Sequence, residues 1–411
     1  MFIAAMATLL QSYLSIKLLF LGLFLLAFLV SVYRRRTRII VYRRLVWFYV
    51  WIGLAGLVWA FVGLLHPANY VQAVFDALKL YVLWSAAFVV LFTLLRAGSS
   101  LQPIHTAMVI AGALIPLINL VGLYGEFSGL GLISDGIRQE LQMEIGFGDG
   151  YVQFTSMNIS SMFVIAPYLL SLQFHADAGK SNSVLTRVAL VLSLILVAVS
   201  GRRALWIVVA LTPCAILLLS GLTGSYSLMK AGGRRLLLVC AAAGVLGLGA
   251  LLILPESRLD VGAINRLKEA FSSDDLRTIQ KPYLIDGFMK SPVLGSGFGG
   301  YAGYLRSDER PWMYELTYYQ MLFNLGMVGV TVLSVLFSVY FVTVVRLLRQ
   351  FKGGSAIPFA LLIAFCSLVV GAYSNPYFGG FDSLFFAGLL PYLSTFQHGF
   401  DRPKLAAAVT L

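Results

Sequence analysis

Four stretches of this chain carry residues that could do chemistry. The first is Ser200-Gly201-Arg202-Arg203-Ala204, which stands between two apolar runs. Arginine at or near a hydrocarbon layer is costly to place, so such residues are functional candidates by default. Their guanidinium forks suit phosphate or pyrophosphate oxygens; the other reading is that both snorkel to lipid headgroups at a tight turn. The second stretch runs from Trp312 to Gly326. Read as a helix, it places Glu315, Tyr319 and Phe323 on one face at i, i+4 spacing. An aromatic setting at a membrane interface suits a carboxylate to proton transfer, and Trp312 and Tyr319 could lie against the apolar faces of sugar rings. The other reading is an interfacial aromatic belt with Glu315 as a solvated acid at a helix start. Arg277 and the weaker candidate Arg266 form the third set. They lie in a loop of balanced charge, where an arginine holds either an anionic ligand or a surface ion pair. The fourth is Gly295, Gly297 and Gly300, in the pattern G-x-G-x-x-G. A dinucleotide fingerprint needs a preceding strand and a βαβ unit. Neither is expected here, so the glycines predict a sharp turn where backbones approach closely.

The elements that must position these residues are membrane spans. The chain has 411 residues, 59% hydrophobic and only 12% charged, with a mean hydropathy of +0.86. A soluble domain this long needs more charge to cover its surface. At about 20 apolar residues per crossing, the runs predict an all-α polytopic membrane protein of about eleven (ten to twelve) transmembrane helices: 13–33, 45–65, 74–95, 104–124, 154–174, 187–200, 204–221, 236–254, 326–346, 356–373 and 383–397. The first run ends in Arg34, Arg35, Arg36 and Arg38 without a small-residue cleavage site, so it reads as a retained span. The net charge of +12 sits in short clusters at span ends. That pattern orients a membrane protein and argues against nucleic acid as a partner. Placing the Arg34–Arg44 segment inside puts the amino terminus outside and the carboxyl terminus in the cytoplasm.

The outer face is different in kind, because its bases are interleaved with acids. Two polar regions lie there, 125–152 and 255–317, and apolar spacing over Leu276–Met289 predicts short surface helices in the larger one. The chain thus divides into 1–254 with eight spans, a large outer loop at 255–317, and 318–411 with three spans and a short tail. Cys214, Cys240 and Cys366 lie inside apolar runs, and His66, His105, His175 and His398 are scattered; neither metal nor cofactor is expected. No fixed-period repeat is present, which weighs against an inverted-repeat transporter.

The order of these features resembles the O-antigen polymerase and ligase superfamily of bacterial polytopic glycosyltransferases. An apolar helix is followed by Ser-Gly-Arg-Arg-Ala. A large outer loop then carries Arg277 and Phe288-Met289-Lys290-Ser291-Pro292-Val293-Leu294-Gly295-Ser296-Gly297-Phe298-Gly299. Last comes Glu315, ahead of Asn324-Leu325-Gly326-Met327-Val328-Gly329. The motif-bearing part covers residues 190–330. The resemblance implies a GT-C-like fold in the bacterial inner membrane, with a large periplasmic loop capping a cavity at the outer leaflet. It implies glycans on undecaprenyl pyrophosphate as substrates, membrane lipids and a chain-length regulator protein as partners, and no metal or nucleotide. By motif position, Arg202 or Arg203 and Arg277 would engage the pyrophosphate, with Arg266 as a lesser contact. The ligase branch carries a histidine at the start of the helix after the loop. Here no histidine lies between His175 and His398, and Glu315 occupies that region, which favours a polymerase-like member with Glu315 as base. The alternatives are a ligase acting on lipid A-core and a lipid-linked oligosaccharide flippase or other transporter.

Overall fold

The computed structural model describes residues 42–97, 101–141, 143–148, 151–175, 184–225, 233–235, 237–242, 275–304, 310–350, 356–374 and 381–396, with isolated positions in the first apolar run. Five helices are long and apolar enough to cross a membrane. They are α1 (Arg43–Leu65), the pair α2 (Val71–Leu78) and α3 (Ser85–Ala97) joined through a π-helical turn at Lys79–Trp84, α4 (Gln102–Ser128), and two that appear below. After α4 come a short α5 (Asp135–Glu140) and an antiparallel hairpin of β1 (Glu144–Gly148) and β2 (Tyr151–Thr155). Next are α6 (Met162–Phe174), α7 (Val184–Val199) and the long α8 (Arg203–Thr223). The outer-loop helix α9 (Asp275–Lys290) precedes the long α10 (Thr317–Gln350), α11 (Ala356–Gly371), α12 (Phe381–Ala387) and α13 (Leu389–Ser394). This is a helical membrane protein. The hairpin is its one strand pair among the described residues.

Five expected spans thus match long apolar helices, and 154–174, 187–200, 356–373 and 383–397 match shorter ones. The expected spans 13–33 and 236–254 lie largely outside the described residues, as does the 255–274 part of the loop. One boundary needs correction. Phe154 and Thr155, expected to start a span, are instead the end of strand β2 (residues 151–155), paired in register from Glu144 with Thr155 to Gly148 with Tyr151. The reason is local: the two strands flank Asp149-Gly150, a dipeptide that favours tight hairpins, and they alternate apolar and polar residues.

Burial separates the helices as their composition requires. α6 and α11 are apolar all round and almost wholly buried, as a helix without a polar face must be; they pack on each other, with α8 against both. α10 instead leaves Val328, Val332, Val335, Val339 and Val342 exposed. That 4-3-4-3 spacing is one helical stripe, suited to lipid.

Hydrogen bonds fix which helix ends lie together. Arg349 Nε donates to the Leu222 carbonyl, joining the last turns of α10 and α8. Arg44 Nη1 donates to the Ser394 carbonyl at 3.2 Å, and Tyr340 Oη donates to the Arg44 carbonyl. α8 and α10 therefore run parallel. Their first residues, Arg203 and Thr317, share the opposite end of the bundle, which we call the loop end.

The glycine-rich turn after α9 is the joint of that end. α10 is broken at Gly326, whose φ is 60° and ψ −173°. The broken helix leaves backbone groups that a membrane protein must satisfy internally, and the turn satisfies them. Ser296 and Gly297 N–H donate to the Phe323 and Asn324 carbonyls at 2.9 Å each, while Met327 and Val328 N–H donate to the Pro292 and Val293 carbonyls at 2.9 and 3.1 Å. The same turn grips the end of α1. Phe298 N–H donates to the Trp59 carbonyl at 3.1 Å, Trp59 Nε1 to the Leu294 carbonyl at 2.8 Å, and Asn69 Nδ2 to the Ser296 carbonyl at 2.8 Å. Glycine is obligatory at its tightest point: Gly297 has φ +73°, and a Cβ there would lie 2.1 Å from the Gly63 nitrogen. The expected sharp turn with close backbone approach is what the glycines form.

Candidate functional site

At the loop end, α9 lies against the segment that enters α10. Arg277, Gln280, Leu284 and Gly287 recur at spacings of three and four and so make one stripe on α9. Leu284 is fully buried in a small apolar cluster with Tyr314, Leu316 and Phe323. Gly287 lets the Phe323 ring approach, since a Cβ there would stand 2.6 Å from it. This apolar foot docks the helix, and its polar half then meets Glu315. Arg277 Nε donates to Glu315 Oε2 at 2.9 Å, with the two side chains 30% and 19% exposed. Gln280 Oε1 accepts from the Glu315 backbone N–H at 3.0 Å. α9 thus holds Glu315 at both its carboxylate and its backbone.

Glu315 is not on the helix that the sequence pattern suggested. α10 begins at Thr317, and Glu315 occupies the bend before it. The i, i+4 face of Glu315, Tyr319 and Phe323 is therefore not formed: Phe323 turns into the apolar cluster, 4% exposed. The backbone N–H at 315, which a helix would have used differently, is taken by Gln280, and Tyr314 is drawn inward, where its Oη accepts from Ala302 N–H at 2.7 Å. Burial pushes the Tyr314 phenol up to about 12, and the Ala302 hydrogen bond opposes that rise only in part.

The aromatic candidates sit beside this pair. Tyr319 lies under Lys281, whose Nζ is 5.5 Å from the ring centroid. Trp312 packs on Tyr70 with centroids 5.3 Å apart, and its carbonyl accepts from Gln320 Nε2 at 2.9 Å.

Arg202 belongs to a second polar patch at the same end. It caps α8 in an extended conformation, after Gly201 at φ +65°. Its backbone N–H donates to Ser200 Oγ at 3.3 Å and its Nη2 to the Ser156 carbonyl at 3.4 Å. The Ser200 carbonyl accepts from Phe154 N–H at 3.2 Å, so the turn is clamped to β2. Below it, Ser156 Oγ donates to Asn158 Oδ1 at 2.7 Å, and Asn119 Nδ2 donates to the same oxygen at 2.8 Å. Arg203 opens α8, with its side chain outside the described residues, and Arg266 lies outside them altogether. Among the described residues no three His, Cys, Asp or Glu gather as a metal-binding group.

Sequence reasoning missed Gln280, Lys281, Asn119 and Asn158. Asn119, a lone amide within an apolar run, was a legible signal. Gln280 is fully buried, and its Nε2 has no acceptor. Because Oε1 faces a donor, the amide orientation is fixed. An unsatisfied buried amide donor costs about 1–3 kcal/mol, so its presence beside an ion pair is notable.

No protein-family model matches this chain, and no curated protein matches it.

Proposed function

We propose that this protein is a membrane glycosyltransferase that moves a glycan from an undecaprenyl-pyrophosphate carrier onto the hydroxyl of a lipid-linked repeat unit, at the periplasmic face of a bacterial inner membrane. The observation that carries the reading is the Arg277–Glu315 pair, 2.9 Å apart and partly open, where the loop helix meets the entry to a membrane span. Transfer from a pyrophosphate makes two demands: a base for the attacking hydroxyl and cations for the charge growing on the departing phosphate. Glu315 supplies the first. Arg277 beside it, and Arg202 and Arg203 at the start of the parallel helix α8, supply the second. The anomeric carbon–oxygen bond to the pyrophosphate breaks as the acceptor oxygen bonds to that carbon. The hydroxyl proton passes to the Glu315 carboxylate. Arg277 already orients that carboxylate, so the base needs no rearrangement before the step.

Broken helices also occur at transporter ion sites. Here the backbone groups freed at Gly326 are taken by the glycine turn, which favours a structural role for the break.

The test is single replacement of Arg202, Arg203, Arg277 and Glu315 by alanine in a deletion strain, with membrane levels confirmed and surface polysaccharide resolved on a gel. A ladder reduced to single repeat units supports polymerisation at these residues. Long polymer stranded on its lipid carrier in the deletion strain would instead mean a ligase. An accumulation of repeat units on the cytoplasmic leaflet would mean a flippase. An unchanged ladder in all four variants removes these residues from the site.

A further inference from the structure

We propose that Gln280 is a further contact for the pyrophosphate, donating its Nε2–H to a phosphate oxygen beside Arg277; this rests on the transfer reaction proposed for the site. Three observations carry it. First, the Gln280 side chain is fully buried, and its Nε2 is left without an acceptor. Second, Oε1 is pinned by the Glu315 N–H at 3.0 Å. Amide geometry therefore holds Nε2 within roughly 5 Å of the Glu315 backbone nitrogen, next to the reacting carboxylate. Third, the described surroundings are cationic: Arg277 and Lys281 stand side by side on this part of α9. A donor-only nitrogen calls for an acceptor. An anionic oxygen supplies one and is also attracted by these cations, whereas a hydroxyl does only the first. The ligand chemistry is thus a phosphate oxygen, from a lipid-linked or a free diphosphate.

The amide would discriminate geometrically where the arginines attract by charge. It projects from a helix docked by Leu284 and Gly287, so its position is set by packing.

The experiment is calorimetric binding to the purified full-length protein in nanodiscs, with farnesyl pyrophosphate, farnesol and inorganic pyrophosphate as probes. The proteins are wild type, Gln280→Leu and Gln280→Glu. Gln280→Glu keeps an oxygen to accept from the Glu315 N–H, so comparing its thermal midpoint with that of Gln280→Leu separates ligand contact from support of the bend. The expected result is that wild type binds farnesyl pyrophosphate more tightly than farnesol, and that both variants weaken this binding about tenfold or more. Variants that bind farnesyl pyrophosphate as wild type does overturn the Gln280 contact and leave the transfer reaction standing. Equal binding of farnesol and farnesyl pyrophosphate by wild type overturns both. Inorganic pyrophosphate bound as tightly, and lost in the same variants, supports the contact but assigns it to a free diphosphate.

Discussion

Replacing Gly297 by alanine tests the joint that positions the loop end, whatever the reaction. Gly297 sits at φ +73°, and an added Cβ would lie 2.1 Å from the Gly63 nitrogen, 2.4 Å from the Gly63 Cα and 2.7 Å from the Val62 carbonyl carbon. All three are backbone atoms, so no rotamer change relieves the clash. The left-handed conformation alone costs a non-glycine residue about 1–2 kcal/mol. Separating the turn from α1 then strains the Phe298 N–H to Trp59 and Asn69 Nδ2 to Ser296 hydrogen bonds. Each is worth about 1 kcal/mol. The sum is about 3–4 kcal/mol for Gly297→Ala. Gly129 is the control: its φ is +68°, but nothing lies within 4 Å of its added Cβ, so Gly129→Ala should cost only the conformational part, about 1–2 kcal/mol. Thermal midpoints of the two purified variants in one detergent give the comparison. If Gly297→Ala melts no lower than Gly129→Ala, the close approach of the glycine turn to α1 is not a feature of the folded protein.

Asn69→Ala removes the donor shared by the Gly63 and Ser296 carbonyls and should lower stability by about 1–2 kcal/mol in the same melting assay. A double-mutant cycle on Arg277→Ala and Glu315→Ala should show coupling of about 1–2 kcal/mol, between the values for exposed and buried pairs; additive effects would mean that the pair does not form. Tyr314 gives a pH signature. Burial raises its phenol from 10.0 to about 12, so the fold favours the neutral form. The stability this contributes is fully present below about pH 10 and is lost as pH rises toward 12. Tyr314→Phe should therefore melt lower at pH 8, having lost the Ala302 hydrogen bond, and should fall less steeply between pH 10 and 12.

Much of the architecture was legible because it depends on local composition. A run of about 20 apolar residues spans a bilayer whatever surrounds it, so α1, α4 and α8 stood out as spans. Gly295 and Gly297 announced a turn because a positive φ is a property of single residues, and both carry one. The apolar spacing over Leu276–Met289 signalled a helix, and α9 covers it. The same locality explains the failures. Phe154 and Thr155 adjoin an apolar run and passed for the start of a span, and only pairing with Ile145 and Glu144 makes them part of a strand. Glu315 was read onto the following helix because periodicity cannot see a competing hydrogen bond from Gln280, 35 positions earlier.

By itself, then, the sequence determined that this chain is a helical membrane protein and where its long apolar helices fall, and it singled out Arg202, Arg203, Arg277 and Glu315 as candidates for chemistry. Only the tertiary structure decided which of them meet. Arg277 and Glu315 are 38 positions apart and touch because Leu284 and Gly287 dock α9 onto Phe323. α8 and α10 bring Arg202 to the same end because Arg349 and Leu222 join their far ends. Such contacts depend on long-range packing registers, which hydropathy and spacing leave undetermined.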